Sequence, residues 1–120
     1  MIRPVTALCL FALPALAAGG AQAAEMAFYM KNGAGRAVAV ELHGDAGHAW
    51  PGEEKVFMLD TAEKKSVPVD CEAGERICYG AWLVGDDRVS WGVGPDNTEE
   101  CEACCTVCVA KSTYTIDLQR

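Results

Sequence analysis

The sequence has little positive charge, and none of it is clustered. Its 120 residues include 10 Lys and Arg against 17 Asp and Glu, which gives a formal net charge of −7. Lys64 and Lys65 are the one adjacent basic pair, and Glu63 precedes them. Nucleic acids and anionic membrane surfaces bind clustered Lys and Arg. The sequence therefore predicts no nucleic-acid partner. Its acidity suits solubility or, alternatively, the attraction of cations and basic partners.

Recognisable catalytic motifs are also missing. The sequence contains no Gly-x-Ser-x-Gly, no His-Glu-x-x-His and no glycine-rich phosphate loop after a predicted strand. We therefore expect a protein that is not an enzyme and needs no cofactor. His43 and His48 match no zinc motif and are interpreted as members of a polar turn. Trp50, Trp82 and Trp91 are expected to pack in the core and turns rather than to form a ligand platform.

Long apolar runs are confined to the N-terminal end. Residues 5–16 are apolar, follow Arg3, and lead to Ala-Gln-Ala at 21–23, which fits a signal-peptide cleavage site. The run is shorter than the roughly 20 apolar residues that a membrane span needs. We expect residues 1–23 to be removed, together with Cys9, leaving residues 24–120 as a single domain without stable membrane insertion. The short, alanine-rich signal favours export by a bacterium, to the periplasm or the medium.

Cysteine is the residue that the sequence has in excess. Of the 7 cysteines, all but Cys9 follow the predicted signal, at Cys71, Cys78, Cys101, Cys104, Cys105 and Cys108. An even number of cysteines in a small exported domain predicts a disulfide framework.

Two disulfide arrangements are compatible with the spacing. In the first, Cys71 and Cys78 each bond to the run at 101–108, which keeps one pair within itself. In the second, they bond to each other across the loop at 72–77, and the run stays available for chemistry. The first is favoured because two bridges within eight helical residues would be crowded. Bridges between distant segments also stabilise more, by roughly 2–4 kcal/mol each.

Two alternative functions use the run itself. Thiolates of Cys101, Cys104, Cys105 and Cys108 suit Cu(I) or Zn, although the adjacent C-x-x-C pairs lack the spacing that is typical of a tetrahedral zinc site. A C-x-x-C pair near a helix start also occurs in thiol–disulfide redox proteins, because the helix dipole lowers the thiol pKa. The favoured hypothesis is a structural or interaction module of the cell envelope or periplasm, with a protein or small ligand as its partner.

Alternation with a period of two predicts an all-β domain. Strands are expected near residues 26–31, 36–43, 55–59, 66–70, 76–84, 88–93 and 113–118. Segment 76–84 is the most apolar and is predicted to lie at the centre of a sheet, whereas Pro68 predicts an edge strand. The even spacing indicates a small antiparallel β-sandwich, or a barrel, held by disulfides.

The cysteine run is predicted to form a short helical turn before the last strand. Asn97 and Glu100 have the spacing of a capping box. Positions 101, 104, 105 and 108 would then share one helical face and turn their sulfurs towards the sheet. An extended conformation is the alternative, because residues 106–109 also suit a strand.

Overall fold

The computed structural model describes Pro4 and residues 22–120, which form nine strands and two short 3₁₀ turns. The predicted signal peptide lies outside these residues, apart from Pro4, Gln22 and Ala23. The strands are β1 (Ala23–Gly33), β2 (Val38–Gly44), β3 (Ala49–Trp50), β4 (Phe57–Leu59), β5 (Lys64–Glu72), β6 (Arg76–Leu83), β7 (Asp86–Gly92), β8 (Cys105–Val107) and β9 (Thr113–Gln119). The all-β prediction is confirmed.

The strands form two sheets that do not close into a barrel. The first sheet has the order β5-β1-β9, in which β1 and β5 are antiparallel and β1 and β9 are parallel. In the second sheet, β2 and β6 form the central antiparallel pair. β3 and β4 pair with the free edge of β2, and β7 and β8 pair with the free edge of β6. Segment 76–84 is therefore central, as predicted, and Pro68 lies on an edge strand.

Apolar side chains from both sheets fill one core between them. Val38, Val40 and Leu42 of β2 are fully buried on the face that their alternation predicted. Phe28 of β1 and Leu118 of β9 are buried against them in the same core. Because each strand alternates, the opposite face of β2 and β6 points away from this core. That outer face of the second sheet is where the cysteine-rich segment lies.

Two tryptophans tie the sheets together at their edges. The Trp50 indole donates a hydrogen bond to the carbonyl of Asp70, at 3.1 Å, and the Trp91 indole donates to the carbonyl of Gln119, at 2.8 Å. Each bond joins the second sheet to the first. Both rings also pack against the core, as expected for tryptophans with a packing role.

The cysteine run is less helical than its spacing predicted. One 3₁₀ turn covers Glu102–Cys104, which confirms a short cysteine-rich helical turn, but Cys105–Val107 is strand β8. The capping box is wrong: the turn at Pro95–Asn97 has no side-chain cap, and Asn97 has a positive φ of 56°. The prediction of one shared sulfur face is wrong as well. Cys105 bonds to Cys78 on the outer face of the second sheet, whereas Cys108 bonds to Cys71 in the core.

Candidate functional site

All six cysteines of the described chain are bonded in three disulfides. Cys71 pairs with Cys108, Cys78 with Cys105, and Cys101 with Cys104. This is the first of the two arrangements that the spacing left open. The Cys71–Cys108 bridge lies in the core, whereas Cys78 and Cys105 are directly opposite each other on β6 and β8, on the outer face.

The disulfides hold a loop over the outer face of the second sheet. We call residues 93–104, which connect β7 to β8, the cysteine loop. The backbone of this loop lies so close to β6 that a Cβ at Gly80 would overlap the carbonyl oxygen of Gly94. Farther along, the backbone N–H of Asp96 donates a 2.8 Å hydrogen bond to the carboxylate of Glu41 on β2. The Cys78–Cys105 bridge fixes the position at which the loop ends.

A cleft of about 610 Å³ opens between the cysteine loop and the sheet. Its sheet side is formed by residues at the ends of β2 and β6, namely His43, Gly44, Asp45, Arg76 and Cys78. Its loop side is formed by Val93, by residues 97–102 and by Cys105. Two of the three disulfides therefore line the cleft, through Cys78, Cys101 and Cys105.

Charge is distributed unequally between the two sides of the cleft. Glu99, Glu100 and Glu102 are exposed on the loop side, which carries no basic residue. The sheet side carries both Asp45 and Arg76, and the backbone N–H of Arg76 donates to the Asp45 carboxylate at 3.0 Å. The loop side is therefore the strongly acidic one.

His43 connects the cleft to the contact that anchors the loop. Its Nε2 lies 3.4 Å from a carboxylate oxygen of Glu41, within ion-pair range when the imidazole is protonated. The same nitrogen is buried and has no hydrogen-bond partner. These two observations agree, because the approach is close enough for charge attraction but lacks hydrogen-bond geometry. Glu41 thus faces both the imidazole and the backbone of the cysteine loop.

A second polar cluster, which was not predicted, lies at the same end of the second sheet as the cleft, beside Gly44. The Glu75 side chain is only 1% exposed, and its carboxylate lies 3.0 Å from Nδ1 of His48. The same carboxylate accepts a 3.1 Å hydrogen bond from the backbone N–H of Glu72. The pair joins the turn that follows β2 to the hairpin between β5 and β6. No sequence pattern around Glu75 distinguishes this buried carboxylate from the exposed ones.

Shifted pKa values occur away from the cleft. The pKa of Asp86 is lowered, mainly by its hydrogen bond from the Arg88 side chain and also by that residue's positive charge. The pKa of Tyr79 is raised, mainly by burial and further by the neighbouring Tyr114. Tyr79 packs against the core, so its shift reflects the interior of the sandwich rather than the candidate site.

The bonding of the cysteines bears directly on the alternative with Cu(I) or Zn. That hypothesis needs thiolates at Cys101, Cys104, Cys105 and Cys108, and the structure has each of these sulfurs in a disulfide. Within the described residues, no group of three or more His, Cys, Asp or Glu side chains is arranged to hold a metal ion. The two structural features of this region are therefore the cleft and the disulfides.

Three intramolecular disulfides indicate an oxidising compartment. In the part of the chain that the structure describes, no helix has the length and hydrophobicity for crossing a membrane. Comparison with protein-family models, curated proteins and solved structures gives no match to this chain.

Proposed function

We propose that this chain is an exported, non-enzymatic interaction module that binds a basic segment of a partner protein in the cleft under the cysteine loop. The cleft itself is the observation that carries the proposal. Its volume of about 610 Å³ lies within the range of about 300–1,000 Å³ that is usual for ligand pockets. The predicted signal peptide and the three disulfides support a place of action in the periplasm or outside the cell.

The cleft is built to keep its shape before a partner arrives. Its loop side is held by the Cys78–Cys105 disulfide, by the Asp96–Glu41 hydrogen bond and by the close contact of Gly94 with Gly80. A binding surface that is already ordered loses less conformational entropy on association, and this raises affinity. The disulfide framework thereby gains a function beyond the stability of a small domain.

The charges favour a basic occupant. Glu99, Glu100 and Glu102 line the cleft and are exposed, so their carboxylates are available to a partner. Arginine is the best match, because its guanidinium binds carboxylates through two parallel hydrogen bonds. The net charge of −7 also attracts a basic partner over longer distances, at a rate that falls as salt is added.

Chemical-shift mapping tests the proposal directly. The ¹⁵N-labelled chain lacking residues 1–23 is titrated with a capped Gly-Arg-Gly-Arg-Gly peptide at low and at high salt. We expect shift changes concentrated at residues 43–45, 76–78 and 97–102, with affinity that falls at high salt. The glutamate analogue of the peptide serves as the control and should cause no shifts. Changes spread evenly over the acidic surface, or centred on another face, contradict the proposal.

A further inference from the structure

The three disulfides differ in what they connect. Cys71–Cys108 and Cys78–Cys105 join segments that are 37 and 27 residues apart. Cys101–Cys104 joins residues separated by three positions and closes a small ring within the cysteine loop. The first two bridges tie strands to the rest of the fold. The third lies within the cysteine loop and joins no two strands.

The three bridges also differ in accessibility. Cys71 and Cys108 are 5% and 1% exposed and belong to the core cluster. Cys78 and Cys105 are partly exposed but lie on paired strands. Cys101 is partly exposed, lines the cleft and precedes the 3₁₀ turn, whereas its partner Cys104 is 8% exposed. A thiol that enters the cleft therefore meets two disulfides, and of these only Cys101–Cys104 lies outside the paired strands.

We infer that Cys101–Cys104 is a reactive disulfide that exchanges with the thiols of a positively charged partner reaching it through the cleft. Exchange proceeds by attack of a thiolate on a disulfide sulfur, at a rate that depends on access. The bond that is reachable from the cleft and least needed by the fold is the one best suited to repeated opening and closing.

The reaction balances with a dithiol, or with two molecules of a monothiol, as the reductant. The first thiolate attacks Sγ of Cys101 and forms a mixed disulfide, and the electron pair of the broken bond goes to Sγ of Cys104, which takes a proton from water. The second thiolate then attacks the partner's sulfur of the mixed disulfide and releases Cys101 as a thiolate. Overall, two electrons pass to the protein disulfide, and two partner thiols become a disulfide.

The carboxylates of the cysteine loop select the partner by charge. Glu100 and Glu102 adjoin Cys101 in sequence, and Glu99 lines the same side of the cleft. An anionic thiol is repelled on its approach, whereas a thiol that carries an ammonium or guanidinium group is attracted. Salt weakens this selection, because the Debye length is about 8 Å at physiological ionic strength.

This inference goes beyond the proposed function and does not depend on it. Binding of a basic peptide needs no sulfur chemistry, and exchange at Cys101 needs no stable complex. Failure of the peptide to map to the cleft would leave exchange intact. Equally, an inert Cys101–Cys104 bond would leave peptide binding intact.

Partial reduction followed by tryptic mapping identifies the bond that opens first. The folded protein is treated with limiting cysteamine, trapped with N-ethylmaleimide and digested. Cleavage after Lys65, Arg76, Arg88 and Lys111 leaves peptides 66–76 and 77–88 each linked to peptide 89–111 through one disulfide. Opening of Cys101–Cys104 keeps all three peptides joined and adds two maleimide groups to 101 and 104. Earlier or simultaneous release of peptide 66–76 or 77–88 overturns the inference.

The choice of partner is tested with thiols of different charge. The exchange rate with each thiol is divided by its thiolate concentration. The resulting value for cysteamine is then divided by that for 3-mercaptopropionate. That ratio is then compared between the wild type and Glu99→Gln/Glu100→Gln/Glu102→Gln. We expect the triple variant to lower it roughly five-fold or more at low salt. The comparison cancels the intrinsic reactivity of each thiol.

A matched variant separates local from overall charge. Glu25, Glu53 and Glu54 are exposed and do not line the cleft, so their replacement by Gln removes the same charge elsewhere. This variant should keep the wild-type ratio within about two-fold. Equal effects of the two triple variants, or no effect of either, refute selection by the loop carboxylates. In Cys101→Ala/Cys104→Ala the first reduction step should disappear, and its persistence refutes the assignment of the reactive bond.

Discussion

Removal of the three disulfides, one at a time, should destabilise the fold to very different extents. Each pair is replaced by two alanines, so that no free thiol remains to reshuffle the others. A crosslink raises stability mainly by restricting the unfolded chain, and the effect grows with the length of the closed loop. The chain separations are 37 residues for Cys71–Cys108, 27 for Cys78–Cys105 and 3 for Cys101–Cys104.

These chain separations predict the order in which the loss of each bridge lowers the free energy of unfolding. The loop-entropy relation gives about 4 kcal/mol for the first bridge, about 3.5 kcal/mol for the second and about 2 kcal/mol for the third. Burial increases the difference between the first bridge and the other two, because Cys71 and Cys108 are part of the core. Removing their sulfurs leaves a small void, which adds about 1 kcal/mol. The loss of Cys71–Cys108 should therefore be the most damaging and the loss of Cys101–Cys104 the least.

Urea unfolding, followed by circular dichroism and tryptophan fluorescence, measures the differences. Coincident transitions from the two probes justify a two-state free energy. The slope of free energy against urea should increase most for Cys71→Ala/Cys108→Ala, because its denatured state expands most. If Cys101→Ala/Cys104→Ala destabilises as much as the core pair, the view that this bridge is dispensable for the fold is wrong.

Three further predictions concern the contacts around the sheets. Gly80→Ala should destabilise by about 1–3 kcal/mol and shift the amide resonances of the cysteine loop, because the new Cβ overlaps the Gly94 carbonyl; unchanged loop resonances would contradict the described contact. A double-mutant cycle of Glu75→Gln and His48→Ala should give a coupling free energy of about 1 kcal/mol, whereas additivity would show that the 3.0 Å contact does not contribute. The Tyr79 phenol should titrate above its ordinary pKa of 10.0, as seen by ultraviolet absorbance against Tyr79→Phe. The folded state then holds the phenol proton more strongly than the unfolded chain does. The protonated phenol therefore stabilises the fold below pH 10, and this stabilisation is lost as the pH rises through the raised pKa. A titration midpoint of Tyr79 at or below pH 10 would contradict the burial of the ring.

Seven of the nine strands in the described residues were predictable because each carries its own pattern, whereas the short strands β3 and β8 do not. Val38, Val40 and Leu42 alternate with polar neighbours, and this period of two is a local property that needs no knowledge of the partner strand. The continuous apolar character of segment 76–84 likewise indicated a central strand, and Pro68 indicated an edge. The parallel pairing of β1 with β9 was not predicted, because pairing between the two ends of the chain leaves no local pattern.

The cysteine loop was harder to predict because its conformation is decided by distant residues. Positions 101, 104, 105 and 108 fit one helical face, yet Cys105 bonds to Cys78 on the outer face, whereas Cys108 bonds to Cys71 in the core. A strand places residues 105 and 108 on opposite faces, and a helix does not. Tertiary bonding therefore overrides the local preference.

The cleft and the buried Glu75 were missed for the same reason. His43, Arg76 and the loop carboxylates are far apart in sequence, and only the pairing of β2 with β6 and the return of the loop bring them together. Glu75 looks like any carboxylate of a polar hairpin until His48, 27 residues earlier, is placed beside it. The cysteine run, by contrast, was recognisable from the sequence, because four cysteines fall within eight residues.

The affinity of the capped Gly-Arg-Gly-Arg-Gly peptide for two matched triple variants tests the central claim most directly. Calorimetry compares the wild type with Glu99→Gln/Glu100→Gln/Glu102→Gln, which neutralises the cleft, and with Glu25→Gln/Glu53→Gln/Glu54→Gln, which neutralises the surface elsewhere. We predict that binding weakens about ten-fold or more in the cleft variant, because each lost charge-assisted hydrogen bond contributes about 1.5–3 kcal/mol, and by less than about two-fold in the control. Equal weakening in both variants would show that net charge alone attracts the peptide, and would contradict a binding site under the cysteine loop.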